Sequence, residues 1–333
     1  MVTQQLPSMS IQDEVLIPAQ DLAEVTGRTV KVYIRYPEGR TNAVQASTGL
    51  MLSLHNWGGT GFTGAPDPEI LAKRYNVVAI GVDYFQSGNQ HANLPYDFGC
   101  YQACDALRGL YYVIQSLTNR GIAFDHTRIY VTGGSGGGNV SLMANKLAPH
   151  TFACVIDLSG MASLTDDIAF NLPGGSSLNA RYSRDPNSPS FLSKGMQALR
   201  DPGNPAHLAL AVKWGNAAKI VVVHGKDDSS CLCTDKQRVV GAMQKAGLDV
   251  TPHYLGKQEI DGAIIRDSGH SIGNRTELVE RFAGTYLTPS SPKLCRLQGP
   301  TDFERRSIME FPTSDGICTV SYAKGWPEIT FNK

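Results

Sequence analysis

The chain has 333 residues, 41% hydrophobic and 18% charged, which is ordinary for a globular protein with a large core. Its thirty basic and thirty acidic residues cancel, so the charge balance favours neither nucleic acid nor a membrane as a partner. No apolar run approaches the ~20 residues of a membrane span, and residues 1–8 lack the basic region and apolar core of a secretory leader, so we expect a cytoplasmic protein.

Strand and helix signals alternate along the chain, which predicts an α/β fold with a mostly parallel central sheet covered by helices on both faces. In the helix-like run 103–119, Leu107, Leu110 and Ile114 recur at helical spacing on one face. Ligands bind at the carboxyl ends of the strands in such a sheet. Strand-like runs lie near 13–18, 29–35, 49–54, 76–83, 128–133, 153–158, 219–224 and 250–255, and helix-like runs near 67–74, 103–119, 136–147, 235–246 and 275–287.

Two of these strand runs end in residues that a ligand can meet. The run 49–54 opens into a glycine-rich loop, residues 55–61, which begins with His55, Asn56 and Trp57. The run 76–83 is followed directly by Tyr84 and Phe85. The aromatic residues Trp57, Tyr84 and Phe85 are interpreted as candidates for the wall of a ligand pocket, with a place in the core as the equal alternative.

The run that ends in Gly133-Gly134-Ser135-Gly136-Gly137 carries the most specific motif, G-x-S-x-G. In a nucleophile elbow of this form a strand turns sharply into a helix and lifts the serine hydroxyl clear of the backbone. Glycine is needed on both sides because a Cβ would clash there. The loop has neither the G-x-G-x-x-G spacing of a dinucleotide site nor the Gly-Lys-Ser/Thr of a phosphate loop. A plain structural turn is the remaining alternative.

The partners that activate a serine follow it along the chain. The run 219–224 leads into Asp227 and Asp228, and a loop of small residues before the last helix contains His270. We expect His270 to take the proton of Ser135 and Asp228 to orient the imidazole. Asp227 stays as the alternative acid, because the sequence does not resolve one residue of register. His224 is expected to structure the strand end beside the acid.

Neither metal nor cofactor is expected. The eight histidines form no H-E-x-x-H pair, which argues against a catalytic metal. The seven cysteines are odd in number and include no zinc-type C-x-x-C pair, which fits a reducing compartment. Cys231 and Cys233, just after the acid, are interpreted as semi-buried thiols, although pairing or metal binding is open to them. Cys295 and Cys318 are candidates for a bridge near the carboxyl terminus.

These motifs resemble the α/β-hydrolase superfamily, nearest to its prolyl-oligopeptidase-like and esterase branches, over about residues 12–288. The phrase 124–133, Phe-Asp-His-Thr-Arg-Ile-Tyr-Val-Thr-Gly, is typical of those branches, and a bacterial family of such hydrolases has a similar His-Asn-Trp-Gly-Gly loop. The resemblance implies a serine hydrolase with a Ser-His-Asp triad. It also implies an oxyanion hole formed by the N–H of Gly136 and that of Asn56 or Trp57, where Asn56 departs from the commoner glycine.

The predicted hydrolase domain spans residues 1–288, and two segments of the chain do not belong to its core. Residues 161–216 are rich in Pro, Gly, Ser and Asn and lie where the superfamily inserts a cap, so they are interpreted as a cap over the pocket. Tyr182 and Arg184 are its candidate substrate contacts. Residues 289–333 read as a β-hairpin with an Asp-Gly turn, an appendage that packs on the domain.

We therefore expect hydrolysis of a carboxylic ester through an acyl-enzyme on Ser135, with a small-molecule ester as the partner and the oligomeric state open. Peptide or amide cleavage and acyl transfer are alternatives that use the same triad. Esters are preferred because 333 residues leave no room for the β-propeller that screens the site in the oligopeptidase branch. A non-catalytic binding protein of the same fold is the alternative from another class.

Overall fold

An eight-stranded sheet runs through the computed structural model, which describes residues 13–332. The segment 1–8, for which no leader is expected, lies outside these residues. Along the sheet the strand order is β1-β2-β4-β3-β5-β6-β7-β8. The strands are β1 (Asp13–Pro18), β2 (Thr29–Arg35), β3 (Gly49–Leu54), β4 (Val77–Asp83), β5 (Ile129–Gly134), β6 (Cys154–Leu158), β7 (Lys219–Gly225) and β8 (Val250–Leu255).

Strand direction follows the predicted pattern. The pairs β1–β2 and β2–β4 are antiparallel, and the other five neighbouring pairs are parallel. The predicted α/β-hydrolase fold and its mostly parallel sheet are confirmed. Helices connect and cover the strands: α1 (Pro68–Tyr75), α2 (Cys100–Asn119), α3 (Gly136–Leu147), α4 (Asp166–Phe170), α5 (Lys194–Leu199), α6 (Pro205–Trp214), α7 (Cys233–Ala246), α8 (Arg275–Leu287) and α9 (Asp302–Arg305).

The sheet is buried on both faces because successive strand residues point to opposite sides. Leu50 and Leu52 of β3 pack into a core shared with α2, α3 and α7, whereas Met51 packs into a second core with α1 and α8. All three side chains are fully buried. Burial of each is worth roughly 1.5–3 kcal/mol, so the apolar runs of the sequence fix the sheet between two helical layers.

Residues 161–216 contribute α4, α5 and α6 and, among the described residues, no strand to the eight-stranded sheet. An isolated bridge between Ser183 and Phe191 is the β-type pairing recorded in this segment. The segment therefore does not extend the central sheet, and its three short helices suit its Pro-, Gly- and Asn-rich composition.

The carboxyl-terminal segment contains the predicted hairpin and extends it with a third strand into an antiparallel sheet. It consists of β9 (Ile308–Thr313), β10 (Gly316–Ser321) and β11 (Glu328–Asn332), in the order β11-β10-β9. Thr313 pairs with Gly316, so the turn is Ser314-Asp315 and lies one residue before the predicted Asp-Gly. β11 escaped prediction because five residues give little periodicity. β11 contributes to the main core, because its Ile329 packs there with Phe311 and Val320.

The seven cysteines are free thiols. Cys295 lies within hydrogen-bonding reach of Cys154 in β6, not beside Cys318 as the sequence analysis considered. Burial, with this hydrogen bond, raises the pKa of Cys154.

In the part of the chain that the structure describes, no helix combines the length and apolarity needed to cross a bilayer.

The backbone segments approach one another closely where β5 passes into α3. A Cβ on Gly137 would overlap the carbonyl oxygens of Leu54 and His55, and a Cβ on Gly133 would overlap the Gly137 carbonyl. We predict that Gly137→Ala lowers the free energy of unfolding by about 1–3 kcal/mol through overpacking, measured by urea denaturation.

Gly241→Ala is the matched control. Gly241 lies inside α7 with no atom within 4 Å of an added Cβ. This variant should gain about 0.4–1 kcal/mol because alanine has fewer unfolded conformations. Equal stabilities of the two variants would contradict the close approach at the elbow.

Candidate active site

Ser135 is held in a strained backbone conformation between β5 and α3. Its φ of 57° and ψ of −118° lie outside the regions that non-glycine residues favour, at a cost of about 1–3 kcal/mol. Four backbone hydrogen bonds hold it there: its N–H donates to Leu158 O (2.9 Å), and its carbonyl accepts from Gly138 (3.0 Å), Asn139 (3.2 Å) and Met161 (3.3 Å). The half-buried serine therefore stands at the head of α3 in the geometry of a nucleophile elbow.

Asp228 and His270, 42 residues apart, meet in a hydrogen bond of 2.8 Å between Asp228 Oδ2 and His270 Nδ1. Because an ionised carboxylate only accepts, Nδ1 carries the proton and Nε2 is left free to act as a base. Burial opposes ionisation of Asp228, but hydrogen bonds from His270 and the Cys231 N–H outweigh it and hold the Asp228 pKa below 3.8. The acid is therefore ionised at neutral pH.

Asp227, the alternative acid, has a different partner. Its Oδ2 accepts the hydroxyl hydrogen of Ser268 at 2.6 Å, and the residue is exposed whereas Asp228 is buried. Of the two carboxylates that the sequence left open as the acid, the structure therefore favours Asp228. The turn after Asp228 is closed by its own carboxylate, whose Oδ1 accepts the N–H groups of Ser230 (2.9 Å) and Cys231 (2.8 Å).

His224 supports this turn from below, as the sequence analysis expected. Its Nε2 lies 2.7 Å from the Cys231 carbonyl and 3.5 Å from Asp228 Oδ2. Burial, and after it the charge of Lys236, lower the His224 pKa below 6.5, so the imidazole is neutral at pH 7. Since a carbonyl only accepts hydrogen bonds, Nε2 of His224 carries the single ring proton and donates a hydrogen bond to the Cys231 carbonyl.

A fully buried ion pair, Lys236 with Asp157, was missed by sequence reasoning. Lys236 Nζ lies 2.5 Å from Asp157 Oδ2, and neither side chain is exposed to solvent. Asp157 Oδ1 accepts the N–H of Gly160 at 2.9 Å and lies against Gly138 in α3. The pair therefore joins α7 to β6 and to the helix that carries Ser135. A lysine in an amphipathic helix gives no sequence signal of such burial.

The glycine-rich loop after β3 lies beside the residue that follows Ser135. A Cβ on Gly136 would stand 2.6 Å from the Trp57 nitrogen. The Asn56 N–H donates to Thr63 O at 3.0 Å, whereas the Trp57 N–H has no acceptor recorded within residues 13–332. Of the two donors that the sequence left open, the geometry therefore favours Trp57, paired with Gly136.

The loop is fixed by a layer of polar contacts beneath it. The Tyr84 hydroxyl donates to the His55 carbonyl at 2.5 Å, and the Tyr84 and His55 rings stack with their centroids 3.9 Å apart. Gly61 N–H donates to Asp83 Oδ1 at 2.6 Å. Burial lowers the His55 pKa to about 4, so this histidine is a neutral part of the scaffold.

The aromatic candidates divide into two groups. Trp57 stacks on Tyr96 with ring centroids 3.6 Å apart, at the edge of an apolar cluster that includes Met161. Tyr84 is 2% exposed, and Phe85 is buried beneath the Arg28 guanidinium, 4.7 Å from its ring. Burial places Tyr84 and Phe85 in the core, the alternative that the sequence kept open. Tyr96 was not singled out from the sequence because nothing marks it locally.

The segment 161–216 lies against the loops of the candidate site. Ser176 Oγ donates to Ser230 O at 2.5 Å, beside the acid, and Ala180 O accepts from the N–H of Tyr96 at 2.9 Å. Arg184 instead forms an exposed ion pair with Asp166, 2.9 Å long. Tyr182 lies near the Arg200 guanidinium, 6.0 Å from its ring. Tyr182 also packs against the apolar cluster that includes Trp57 and Met161, whereas the ion pair of Arg184 lies at the protein surface.

Arg275 is a second residue that the sequence did not reveal. Its guanidinium fills the space that a side chain at position 134 would occupy and donates to the Gly64 carbonyl. It also lines a cleft of about 650 Å³ together with Ser271, the residue after His270. Glycine at position 134 is therefore explained by the arginine that reaches in from α8.

Cys231 is the thiol nearest to the candidate acid and base. Its Sγ, a carboxylate oxygen of Asp228 and a ring nitrogen of His270 all lie within 4.8 Å of one another. Burial raises the pKa of the Cys231 thiol well above 9.0, so it is protonated at neutral pH and does not compete with Ser135 as a nucleophile.

Solved structures similar to this chain are peptidases. Acylaminoacyl peptidase of Pyrococcus horikoshii matches with a TM-score of 0.57 and 14% identity over 90% of this chain and 44% of that one. The puromycin-hydrolyzing peptidase of Mycobacterium tuberculosis matches with a TM-score of 0.51 and 16% identity over 80% of this chain and 38% of that one. Dipeptidyl peptidase 4 of Porphyromonas gingivalis matches with a TM-score of 0.52 and 14% identity over 81% of this chain and 34% of that one. The chain thus spans less than half the length of these relatives. A search of curated proteins found no match.

A family model places the chain more closely. Residues 105–286 match Peptidase_S9, the prolyl oligopeptidase family, and this segment is more than half of the chain. The segment contains Ser135, Asp228 and His270 and ends near the boundary of the predicted hydrolase domain. The chain belongs to the prolyl oligopeptidase family and has the α/β-hydrolase fold.

Proposed function

We propose that the protein is a serine peptidase that cleaves an amide bond through an acyl-enzyme on Ser135, with His270 as the base and Asp228 as its orienting acid. One observation carries the proposal: the segment that matches the prolyl oligopeptidase family contains all three residues, and within it Asp228 and His270 are hydrogen-bonded. The strained backbone at Ser135 supports the same assignment, since strain of this kind clusters at active sites.

The proposed mechanism gives each of the three residues one role. Ser135 Oγ attacks the scissile carbonyl carbon while His270 Nε2 accepts the hydroxyl proton, and Asp228 stabilises the imidazolium. The oxyanion that develops is stabilised by the N–H groups of Gly136 and Trp57, each worth roughly 3–4 kcal/mol in the transition state. His270 then gives its proton to the departing amine. Water attacks the acyl-enzyme by the same route and releases the acid.

The choice between amide and ester rests on the family. The sequence favoured esters because 333 residues seemed too few for a screening propeller. Membership of a peptidase family and similarity to acylaminoacyl and dipeptidyl peptidases favour amides instead. An amide nitrogen must be protonated as it leaves. In the proposed mechanism His270, held by its hydrogen bond to Asp228, donates that proton.

We assign the acyl side of the substrate to the apolar cluster beside the oxyanion loop. Trp57 is half-buried against Tyr96, and Met161 and Ile168 of the segment 161–216 pack in the same cluster. An apolar or aromatic residue before the scissile bond fits this lining. The segment 161–216 acts as a cap in this proposal because its contacts with Tyr96 and Ser230 border the same space.

The proposal is tested with matched substrates that share one acyl group. N-acetyl-phenylalanine p-nitroanilide and the corresponding p-nitrophenyl ester are compared with free aminoacyl and dipeptidyl p-nitroanilides. We expect hydrolysis of at least one anilide, and Ser135→Ala should lose roughly 10⁶-fold in kcat together with labelling by a fluorophosphonate probe. Ester cleavage without any anilide cleavage would return the assignment to an esterase. Labelling of folded Ser135→Ala equal to wild type would exclude Ser135 as the nucleophile.

The two adjacent carboxylates provide a matched pair of variants. Asp228→Asn should lower kcat about 10⁴-fold because the amide cannot hold His270 in the reactive tautomer. Asp227→Asn should have little effect, since its partner is the Ser268 hydroxyl. Steady-state kinetics of both variants, with circular dichroism as the folding control, decide the matter. Equal losses, or a larger loss in Asp227→Asn, would assign the acid to the other residue.

Substrate selectivity should depend on Trp57 and not on Arg184. Trp57→Ala keeps the backbone N–H but removes the ring, so kcat/KM for a phenylalanyl substrate should fall at least about tenfold relative to an alanyl one. Arg184→Ala should leave that ratio unchanged because its exposed ion pair with Asp166 lies apart from the triad loops. A changed ratio in Arg184→Ala alone would place the pocket in the cap.

A further inference from the structure

Three chemically different donors converge at the candidate acid and base. A carboxylate oxygen of Asp228, the thiol of Cys231 and a ring nitrogen of His270 lie within 4.8 Å of one another. Sulfur, imidazole and carboxylate are the three ligand types of protein zinc sites. The catalytic assignment uses the carboxylate and the imidazole but leaves the thiol without a role.

The position of Cys231 is fixed from two sides, so the convergence is built into the fold. Its N–H donates to Asp228 Oδ1 at 2.8 Å, which curls the turn back onto the carboxylate. Its carbonyl accepts from His224 Nε2 at 2.7 Å. Both bonds use the backbone of Cys231, so the side chain is left to pack beside the triad, where it is 3% exposed.

We propose that Asp228, Cys231 and His270 form a Zn²⁺ site through which the metal inhibits the enzyme. Donors on one tetrahedral zinc stand about 3.3–3.8 Å apart, given bond lengths of ~2.0–2.3 Å, so the three groups need to close by about 1 Å. Binding breaks the hydrogen bond between Asp228 and His270 and forms Zn–S, Zn–N and Zn–O bonds. The thiol proton passes to water, and the neutral imidazole keeps its one proton on the ring nitrogen that does not bind the metal. A water molecule completes the fourth position.

Charge supports zinc at this place. One thiolate and one carboxylate balance the two positive charges of the ion, so the half-buried site is neutral as a whole. The nearest buried cation, Lys236, is already paired with Asp157 at 2.5 Å. His270, whose side chain is 28% exposed, provides the path from solvent. Mg²⁺ prefers an all-oxygen shell and should not bind a site with one sulfur and one nitrogen.

The inhibition follows from the proposed function, on which this inference rests. A metal held by Asp228 and His270 occupies the carboxylate and the ring that must receive the Ser135 proton. Zinc binding and hydrolysis are then mutually exclusive. Because metal binding can be measured without any substrate, the site is testable even where the catalytic assignment is not.

The experiment measures Zn²⁺ affinity by competition with a chelating dye, and hydrolysis at buffered free Zn²⁺, for wild type, Cys231→Ser and Cys233→Ser. Wild type and Cys233→Ser should bind one ion and lose activity over the same concentration range, with recovery on adding EDTA. Cys231→Ser should bind at least about tenfold more weakly, and its inhibition, expressed relative to its own zinc-free rate, should shift equally. Mg²⁺ should leave all three proteins unaffected.

A second measurement needs no variant. Co²⁺ added to wild-type protein should give the charge-transfer absorption of a cobalt–thiolate bond, and Zn²⁺ should displace it. Absence of this band, unchanged zinc affinity in Cys231→Ser, or zinc binding without inhibition would each overturn the proposal. Failure of every substrate would count against the peptidase assignment alone, because the dye and cobalt measurements would still report the site.

Discussion

The backbone approach at the end of β5 is the constraint on which the rest of the site depends. Gly133 and Gly137 let the strand, the oxyanion loop and α3 come so close that any side chain there would overlap a carbonyl. The backbone of Ser135 is strained as a result, with a φ of 57°. The same closeness places the Gly136 backbone beside the Trp57 nitrogen, so one steric arrangement positions both the candidate nucleophile and the candidate oxyanion donors.

Buried charges support this arrangement from within the protein. The Lys236–Asp157 pair links α7 to the turn after β6 and to α3, and the lysine charge helps to keep His224 neutral. A neutral His224 donates to the turn that curls around Asp228. Removing one member of such a pair would leave an uncompensated buried charge, a change that typically costs 3–5 kcal/mol. The ionised acid is thus held by a network that extends well beyond its hydrogen bond to His270.

The substrate in the proposed function, an amide, differs from the ester that the sequence favoured. The preference for esters came from chain length, which bears on access to the site and not on the chemistry within it. The family match bears on the segment 105–286, where the candidate triad lies. The segment 161–216 contacts the loops of that site through Ser176 and Ala180, and these contacts are the basis for its role as a cap in the proposed function.

Local patterns determined much of this protein. The eight strands and the helices α1, α2, α3, α7 and α8 follow from periodicity, because buried strands and amphipathic helices carry their burial pattern in consecutive residues. The elbow around Ser135 was readable because its glycines are a steric requirement. The bounds of α4 and α5 were not readable, because five or six residues are too few for a helical period to emerge. Those of α6 were not readable because most of its ten residues are apolar and leave no amphipathic stripe, and β11, with five residues, was not predicted.

Contacts between distant residues were decided only by the tertiary structure. The sequence offered both Asp227 and Asp228, and both Asn56 and Trp57, since neighbours in the chain differ only in which way the folded backbone turns them. The folded structure favours one residue of each pair, and it buries the Tyr84 and Phe85 side chains in the core. It also placed Arg275 in the space left at position 134 and Cys231 beside His270. Such pairings depend on the three-dimensional path of the chain, which local periodicity does not encode.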